Sequence, residues 1–429
     1  MDVKTTDINL RQAVIYSLYV RNFSEEGTFK AVIPELDRIK ALGTDIVWFL
    51  PFYPNGEVAR KGTVGSPYAI KDYRSVDNHF GTLEDFEELV SEIHDRGMKV
   101  MIDIVYNHTS PDSILAQEHP EWFYHKPDGS FGNRVGDWSD IIDLDYEHRG
   151  LWDYQIETLK LWVNRGVDGF RCDVAPLIPL EFWKEARQKV EQVKSDVIWL
   201  SESIEPGFIK YMRSQGLTAL SDSEIFQVFD MAYDYDVRGL WVDYLEGKIP
   251  LSAYIDRLNL QEVIFPANYI KLRNLENHDN RRAADLISDK DELLRWTAFN
   301  YLQKGAVLIY NGQERQALTI PSLFENDPIN WSGEDISEYL TKMAHIKKML
   351  PIQGDYQLVA DDQNDLVIVT HKTDKQAIVV IISFKGKEVK VSLDLADGSY
   401  ENVFNGEKVN IVNHELLISK EVIVLSITE

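Results

Sequence analysis

Only one cysteine, Cys172, stands among the 429 residues. A single thiol excludes an intramolecular disulfide and a thiolate metal cluster. Basic residues are also scarce. Forty-five Lys and Arg face 70 Asp and Glu, a formal net charge of −25. Such a surface repels phosphate backbones and anionic headgroups, which argues against nucleic acid and membranes as partners and favours a neutral substrate. No apolar run reaches the roughly 18 residues that a membrane span requires. Residues 1–7 lack the basic and apolar regions of a secretory leader, so a cytoplasmic location is expected. Low-complexity tracts and short-period repeats are missing too. What is present is an ordinary globular mixture, 44% hydrophobic and 27% charged, which sets aside disordered, collagen-like and coiled-coil chains.

Short apolar runs alternate with longer amphipathic stretches. Runs at 14–20, 45–50, 99–105, 169–174, 197–201, 227–231, 269–274 and 306–309 read as strands. Between them, 83–96 places Leu83, Phe86, Leu89, Val90 and Ile93 at helical spacing and stops at Gly97; 150–165 stops at Gly166, and 293–303 is a third helix. About eight strand–helix alternations predict an α/β fold, a parallel sheet closed as a (β/α)8 barrel over residues 1–350. Two stretches break the pattern. Residues 109–142 are irregular and rich in Asp, Pro, Gly and Trp, and read as a loop domain inserted after the third strand. Beyond Pro351, runs at 366–370, 377–384, 388–393 and 422–427 with turns such as Asn405-Gly406 predict a separate all-β domain, 351–429.

An α/β barrel carries its active site at the C-terminal ends of its strands. Polar residues closely following an apolar strand are therefore the candidates. Asp103, Asn107 and His108 follow the third strand. In Gly169-Phe170-Arg171-Cys172-Asp173 the period of two puts Arg171 and Asp173 on one face. Glu202 follows the fifth strand, and Asn277-His278-Asp279 the seventh. Metal-free hydrolysis of a glycosidic bond needs one charged and one protonated carboxyl. Asp173, beside a guanidinium, is expected to keep a low pKa and stay anionic. Desolvation and neighbouring carboxylates would keep Glu202 protonated near neutral pH, and Asp279 is a third acid to hold sugar hydroxyls. Each residue alone has a plainer reading: a strand-end Asp as a helix N-cap, His108 as a packed core imidazole, Arg171 and Asp173 as a structural ion pair. Four polar clusters at four strand ends are hard to explain by packing.

These segments resemble, in order, the four signature regions of the α-amylase family of retaining α-glycosidases (glycoside hydrolase family 13). They are Asp103-Ile104-Val105-Tyr106-Asn107-His108, Gly169-Phe170-Arg171-Cys172-Asp173, Leu200-Ser201-Glu202 and Asn277-His278-Asp279. The resemblance implies that Asp173 is the nucleophile, Glu202 the general acid and then base, and Asp279 the transition-state stabiliser. It implies that His108, Arg171 and His278 hold the sugar at the cleavage subsite and that Tyr68 stacks there, with Asp103 supporting Arg171 from behind. The insert would correspond to domain B and the tail to the β-sandwich domain C. Ile141-Ile142-Asp143-Leu144-Asp145 resembles a fifth region, whose final Asp favours the amylase version over the α-glucosidase version.

Departures bear on metal and specificity. Many endo-acting members carry a Lys-His pair three and four residues after the nucleophile; here Pro176 and Leu177 stand there. That His often supplies a backbone ligand to a structural Ca2+. Asn107 and Asp143 match two other calcium positions, too few for an ion that takes six to eight oxygens, so no metal or cofactor is expected to be required. Residues 21–27 lack the Asp-rich calcium pattern of some relatives. Of the insert's aromatics, Trp122, Phe123, Tyr124, Phe131 and Trp138, most are expected to build the loop's own core and the rest to stack on sugar. The expected activity is retaining hydrolysis of α-1,4 bonds in α-glucan oligosaccharides such as maltodextrins. A transglycosylase or isomerase of the same family would share the motifs. An inactive glycan-binding barrel is the other alternative, and such relatives usually lose a catalytic carboxylate.

Overall fold

The computed structural model describes residues 6–135 and 138–428. Residues 1–5, most of the run on which the cytoplasmic expectation rests, lie outside them, as do two residues of the insert. Eight strands enclose the centre: β1 (Val14–Leu18), β2 (Ile46–Phe49), β3 (Lys99–Ile104), β4 (Gly169–Cys172), β5 (Ile198–Ser201), β6 (Met231–Tyr233), β7 (Lys271–Arg273) and β8 (Ala306–Tyr310). Each pairs in parallel with its neighbours in sequence, and β1 pairs with both β2 and β8, which closes the (β/α)8 barrel. Burial on both faces explains why these strands read as unbroken apolar runs, as in Ala306-Val307-Leu308-Ile309-Tyr310.

The helices form for local reasons. In Leu83–Asp95, Thr82 and Asp85 cap each other's backbone N–H groups, and Phe86, Leu89, Val90 and Ile93 face the barrel. The helix stops where Gly97 takes φ +67°, with open space around it, so conformation rather than room requires the glycine. Among the described residues no helix is long and apolar enough to cross a membrane.

The sixth strand differs from its expected position. It begins at Met231, not Gln227. Ser221 and Glu224 cap a helical turn, Asp222–Ile225, and Val228 and Phe229 donate back to the Ile225 carbonyl. The Asp230 carboxylate is engaged by the Trp199 N–H and by Arg187. The chain can therefore join the sheet only at Met231, opposite Leu200.

The insert is clamped at its neck, where His108–Thr109 pairs antiparallel with Ile142–Asp143. Phe123 is buried against Phe131, while Trp122 stacks on His119. Tyr124 lies under the Arg134 guanidinium.

The tail comprises β9 (Asp355–Asp361), β10 (Leu366–Lys372), β11 (Gln376–Ser383), β12 (Val389–Ser392), β13 (Gly398–Glu401), β14 (Lys408–Ile411), β15 (Glu415–Ile418) and β16 (Ile423–Thr428). An antiparallel sheet in the order β9-β10-β11-β16 packs Val379, Ile381 and Leu425 against Val391, Ile411 and Leu416 of two ribbons, β12–β15 and β13–β14. Its other face, through Val367, Val369, Val380 and Ile382, belongs to the same apolar core as the barrel. Phe384 stacks on Trp296 of the barrel helix Lys290–Leu302, rings 3.6 Å apart and 5° from parallel. The expected separate domain is thus fused to the barrel through a shared core. The strands not anticipated, β9, β13, β14 and β15, include charged and exposed positions that weaken the apolar signal.

Candidate active site

The barrel's register brings the charged residues together. Asp103 on β3 lies directly opposite Arg171 on β4. Cys172 pairs with Ser201 of β5, so the next residues, Asp173 and Glu202, leave adjacent strands side by side. Two ladder bonds continue past the strand ends, from Asp173 N–H to the Ile104 carbonyl and from Glu202 N–H to that of Cys172.

Arg171 has no exposed surface and is the hub. Its Nη1 donates to Asp103 Oδ1 at 2.8 Å and Asp173 Oδ1 at 2.9 Å. Its Nη2 lies 2.9 Å from Glu202 Oε1, an ionic contact not aligned as a hydrogen bond. Nε donates to the Tyr233 hydroxyl at 3.2 Å, and the guanidinium lies against the rings of Trp48, Tyr68 and Tyr233. A buried cation survives only when paired, and the planar fork of arginine can serve several carboxylates at once. Immediately beyond Asp173, Val174 sits at φ 35°, a left-handed conformation that costs a β-branched residue strain. Its N–H donates to Glu202 Oε2 at 2.8 Å, which ties the strained turn to the second acid.

On the other side, the Tyr68 hydroxyl donates to Asp103 Oδ2 at 3.1 Å and lies 2.7 Å from His278 Nε2. His278 also reaches Asp279 Oδ2 at 3.1 Å. His108 is buried beside Asn107, with Trp138 against its ring.

One cavity of about 640 Å3 opens here, and Tyr68, His108, Asp173, Glu202 and Asp279 all line it. Arg171 and His278, expected to hold the sugar, have fully buried side chains, and each contacts acids that line the cavity, Arg171 reaching Asp173 and Glu202 and His278 reaching Asp279. Trp138 is the one aromatic of the five named in the insert that lines the cavity. Lys61, Asp140, Phe208, Tyr235, Arg238, Asn280 and Phe324 also contribute, and sequence reading missed them. They stand outside the motifs, Phe208, Tyr235 and Arg238 on helices and the others on loops, where neither period nor spacing marks them.

The electrostatics correct one expectation and support another. Burial pushes the Asp173 carboxyl up to about 6, and Arg171 offsets this only in part. The low pKa expected for Asp173 is not found, because burial, with the negative charges of Asp103 and Asp279 adding to it, outweighs the pull of the one guanidinium. Burial likewise raises Glu202, to about 7, with Asp173 and Asp279 adding to the rise against Arg171. Asp279 keeps 47% of its side-chain surface open, although protein surrounds it in the cleft. Burial raises it, but the His278 imidazole and its hydrogen bond hold the carboxyl below its ordinary value. Burial lowers His108, which leaves it neutral.

Asn107 and Asp143 stand at two of the family's calcium positions. They line a second, smaller cavity together with Arg134. The Arg134 N–H donates to Asp143 Oδ2 at 2.7 Å, and its guanidinium lies 3.7 Å from Asp143 and 3.9 Å from Asp145. A cationic side chain beside two carboxylates does not fit a cage of six to eight oxygens. Among the described residues no group of three or more His, Cys, Asp or Glu is arranged to hold a metal ion.

A parallel barrel whose strand ends gather two adjacent carboxyls, both raised and one of them to about 7, and a third acid around one cavity has the site of a glycoside hydrolase. Comparison with known proteins agrees. The family model for the α-amylase catalytic domain matches residues 12–126 and 116–349, and that for the bacterial α-amylase C-terminal domain matches 357–425. The chain belongs to the α-amylase family. An α-amylase crystal structure from Lactobacillus plantarum is 48% identical with a TM-score of 0.96, over 98% of this chain and 100% of that one. A noncanonic maltogenic α-amylase from Thermotoga neapolitana is 33% identical with a TM-score of 0.87, over 98% and 100%. Alpha-amylase 2 of Dictyoglomus thermophilum is 23% identical over 438 residues, covering 92% of this chain and 73% of the relative.

Proposed function

We propose that the protein is a retaining α-glucan hydrolase that cleaves α-1,4-glucosidic bonds of maltooligosaccharides without a bound metal. The observation that carries this reading is the contact of one buried guanidinium with both Asp173 and Glu202, at 2.9 Å each. It keeps two carboxyls of different proton affinity side by side at one cavity. In the first step an Asp173 oxygen attacks the anomeric carbon while Glu202 gives its proton to the bridging oxygen. The bond to the leaving sugar breaks, and a β-glycosyl ester forms on Asp173. In the second step Glu202, now a carboxylate, takes a proton from water. The water oxygen displaces Asp173, and the sugar leaves with its α configuration. Asp279, held anionic by His278, stabilises the positive charge that develops on the ring. Tyr68 offers its ring face to the sugar in the same cavity, and neutral His108 offers a hydrogen bond.

Proton NMR of maltoheptaose hydrolysis tests the stereochemistry: the α anomer should appear first, and initial release of the β anomer overturns the reading. Azide tests the roles. With Glu202→Ala, azide should restore turnover of an activated glucoside and give the α-glycosyl azide, whereas the β-glycosyl azide would assign Glu202 as the nucleophile instead. Early products longer than the substrate would mark a transglycosylase.

A further inference from the structure

A loop that the catalytic motifs do not include reaches the cavity through Lys61. Residues 55–65, after β2, are gripped from both sides. Lys61 pairs with Asp140 of the insert at 2.8 Å, and both line the cavity. From the loop after β8, Glu325 accepts from the Thr63 N–H at 3.1 Å and from the Thr63 hydroxyl, while the Phe324 carbonyl accepts from the Val64 N–H at 3.2 Å. Gly62, at φ +65°, lies so close to Phe324 that a Cβ would stand 2.4 Å from its carbonyl oxygen. Arg21 spans the remaining gap, donating to the carbonyls of Gly65 and Leu323. The loops after β8, β2 and β3 are thereby joined into a continuous barrier, with Phe324, Lys61 and Asp140 facing inward.

The opposite side differs. Beyond Glu202 on β5, residues 205–207 are exposed and Phe208 is half-buried. The chemistry fixes which end of a glucan faces which side. Glu202 protonates the bridging oxygen, so the leaving portion extends on the β5 side. The non-reducing end then points across the barrel, toward the sector running from β8 through β1 and β2 to β3, where the barrier stands. We infer that the Lys61–Asp140 pair closes the glycone end of the cleft, so that the enzyme removes one short saccharide at a time from the non-reducing end. The inference rests on the hydrolase reading above and adds its direction and step length.

The test uses p-nitrophenyl maltoheptaoside, with and without an ethylidene block on the terminal non-reducing glucose, and follows labelled products by chromatography. The wild type should cleave the open chain to glucose or maltose plus a stepwise-shortened labelled remnant. The blocked chain should react slower by on the order of tenfold or more. Lys61→Ala should raise cleavage of the blocked chain by about tenfold and lengthen the first product. The charge swap Lys61→Asp with Asp140→Lys should restore the wild-type pattern, and circular dichroism checks that both variants fold. Equal cleavage of open and blocked chains by the wild type overturns the inference and leaves the hydrolase reading standing. A folded Lys61→Ala variant with unchanged discrimination, or a folded swap that fails to restore it, overturns the role of the pair. Failure to cleave either chain overturns the hydrolase reading itself.

Discussion

Two of the buried cations at the carboxyl end of this barrel, Arg171 and Lys271, have surroundings that separate a working site from a structural one. Arg171 is ringed by Asp103, Asp173 and Glu202, and the last two open onto the cavity. Lys271, on β7, is equally buried between Asp222 and Asp236, and no member of that trio reaches the cavity. The Lys271 ammonium also donates to the Tyr233 carbonyl, Asp222 accepts from Ser203, and Asp236 accepts from Gln261. The difference lies in surplus charge. Three carboxylates share Arg171, and Asp173 and Glu202 are pushed up toward neutrality. Two share Lys271: Asp236 is held below its ordinary value despite its burial, while burial raises Asp222 against the pull of Lys271. The acids in surplus around Arg171 store a proton where the cavity can use it, while the more nearly balanced trio at Lys271 is sealed within the fold.

The largest effect that would sharpen this contrast is at Asp173. Asp173→Asn should lower kcat by about 10⁴-fold while the unfolding midpoint stays near that of the wild type. Appreciable turnover in a folded variant would break the assignment. Lys271→Met should reverse the pattern. It strands Asp222 and Asp236, at a cost of about 3–5 kcal/mol read by urea unfolding. Its kcat, measured where it remains folded, should change far less than in the Asp173 variant. A variant of unaltered stability would show that the two clusters are not different in kind.

Proton storage gives a finer test. The reaction needs Asp173 ionised and Glu202 protonated, so activity should fall as pH drops below about 6 and again as it rises above about 7. Glu202→Gln should remove the alkaline limb from the residual activity. Asp103→Asn removes a negative charge that raises Asp173 and leaves Arg171 with fewer acids to serve. Its acidic limb, read from kcat/KM, should therefore move to lower pH, and an unmoved or upward-shifted limb would contradict the shared-cation account. The smallest expected effect is that of chelation. Dialysis against EDTA should leave both activity and thermal stability unchanged, and a loss restored by Ca2+ would overturn the metal-free proposal.

Much of the site was legible because its residues follow apolar strands at fixed offsets. Asp173 is recognisable from the alternation of Gly169-Phe170-Arg171-Cys172, and Glu202 from its place directly after β5. The sixth strand was misplaced because an apolar stretch, Val228-Phe229, satisfies the same short-range signal whether it pairs in a sheet or packs after a helical turn. The tail's attachment was hidden for a similar reason. Val367, Val369 and Phe384 read as apolar, but nothing in the local pattern says that they face the barrel rather than a core of their own.

Local order, then, was set by the chain alone: which runs become strands, where helices stop, and in what sequence the acids appear. These depend on backbone preference and side-chain period over a few residues. Only the assembled barrel decided that Arg171 serves three carboxylates, that Asp173 is raised rather than lowered, and that Lys61 meets Asp140. Solvent exclusion and Coulomb interaction depend on distance in space, and the partners concerned lie between 2 and 79 residues apart along the chain.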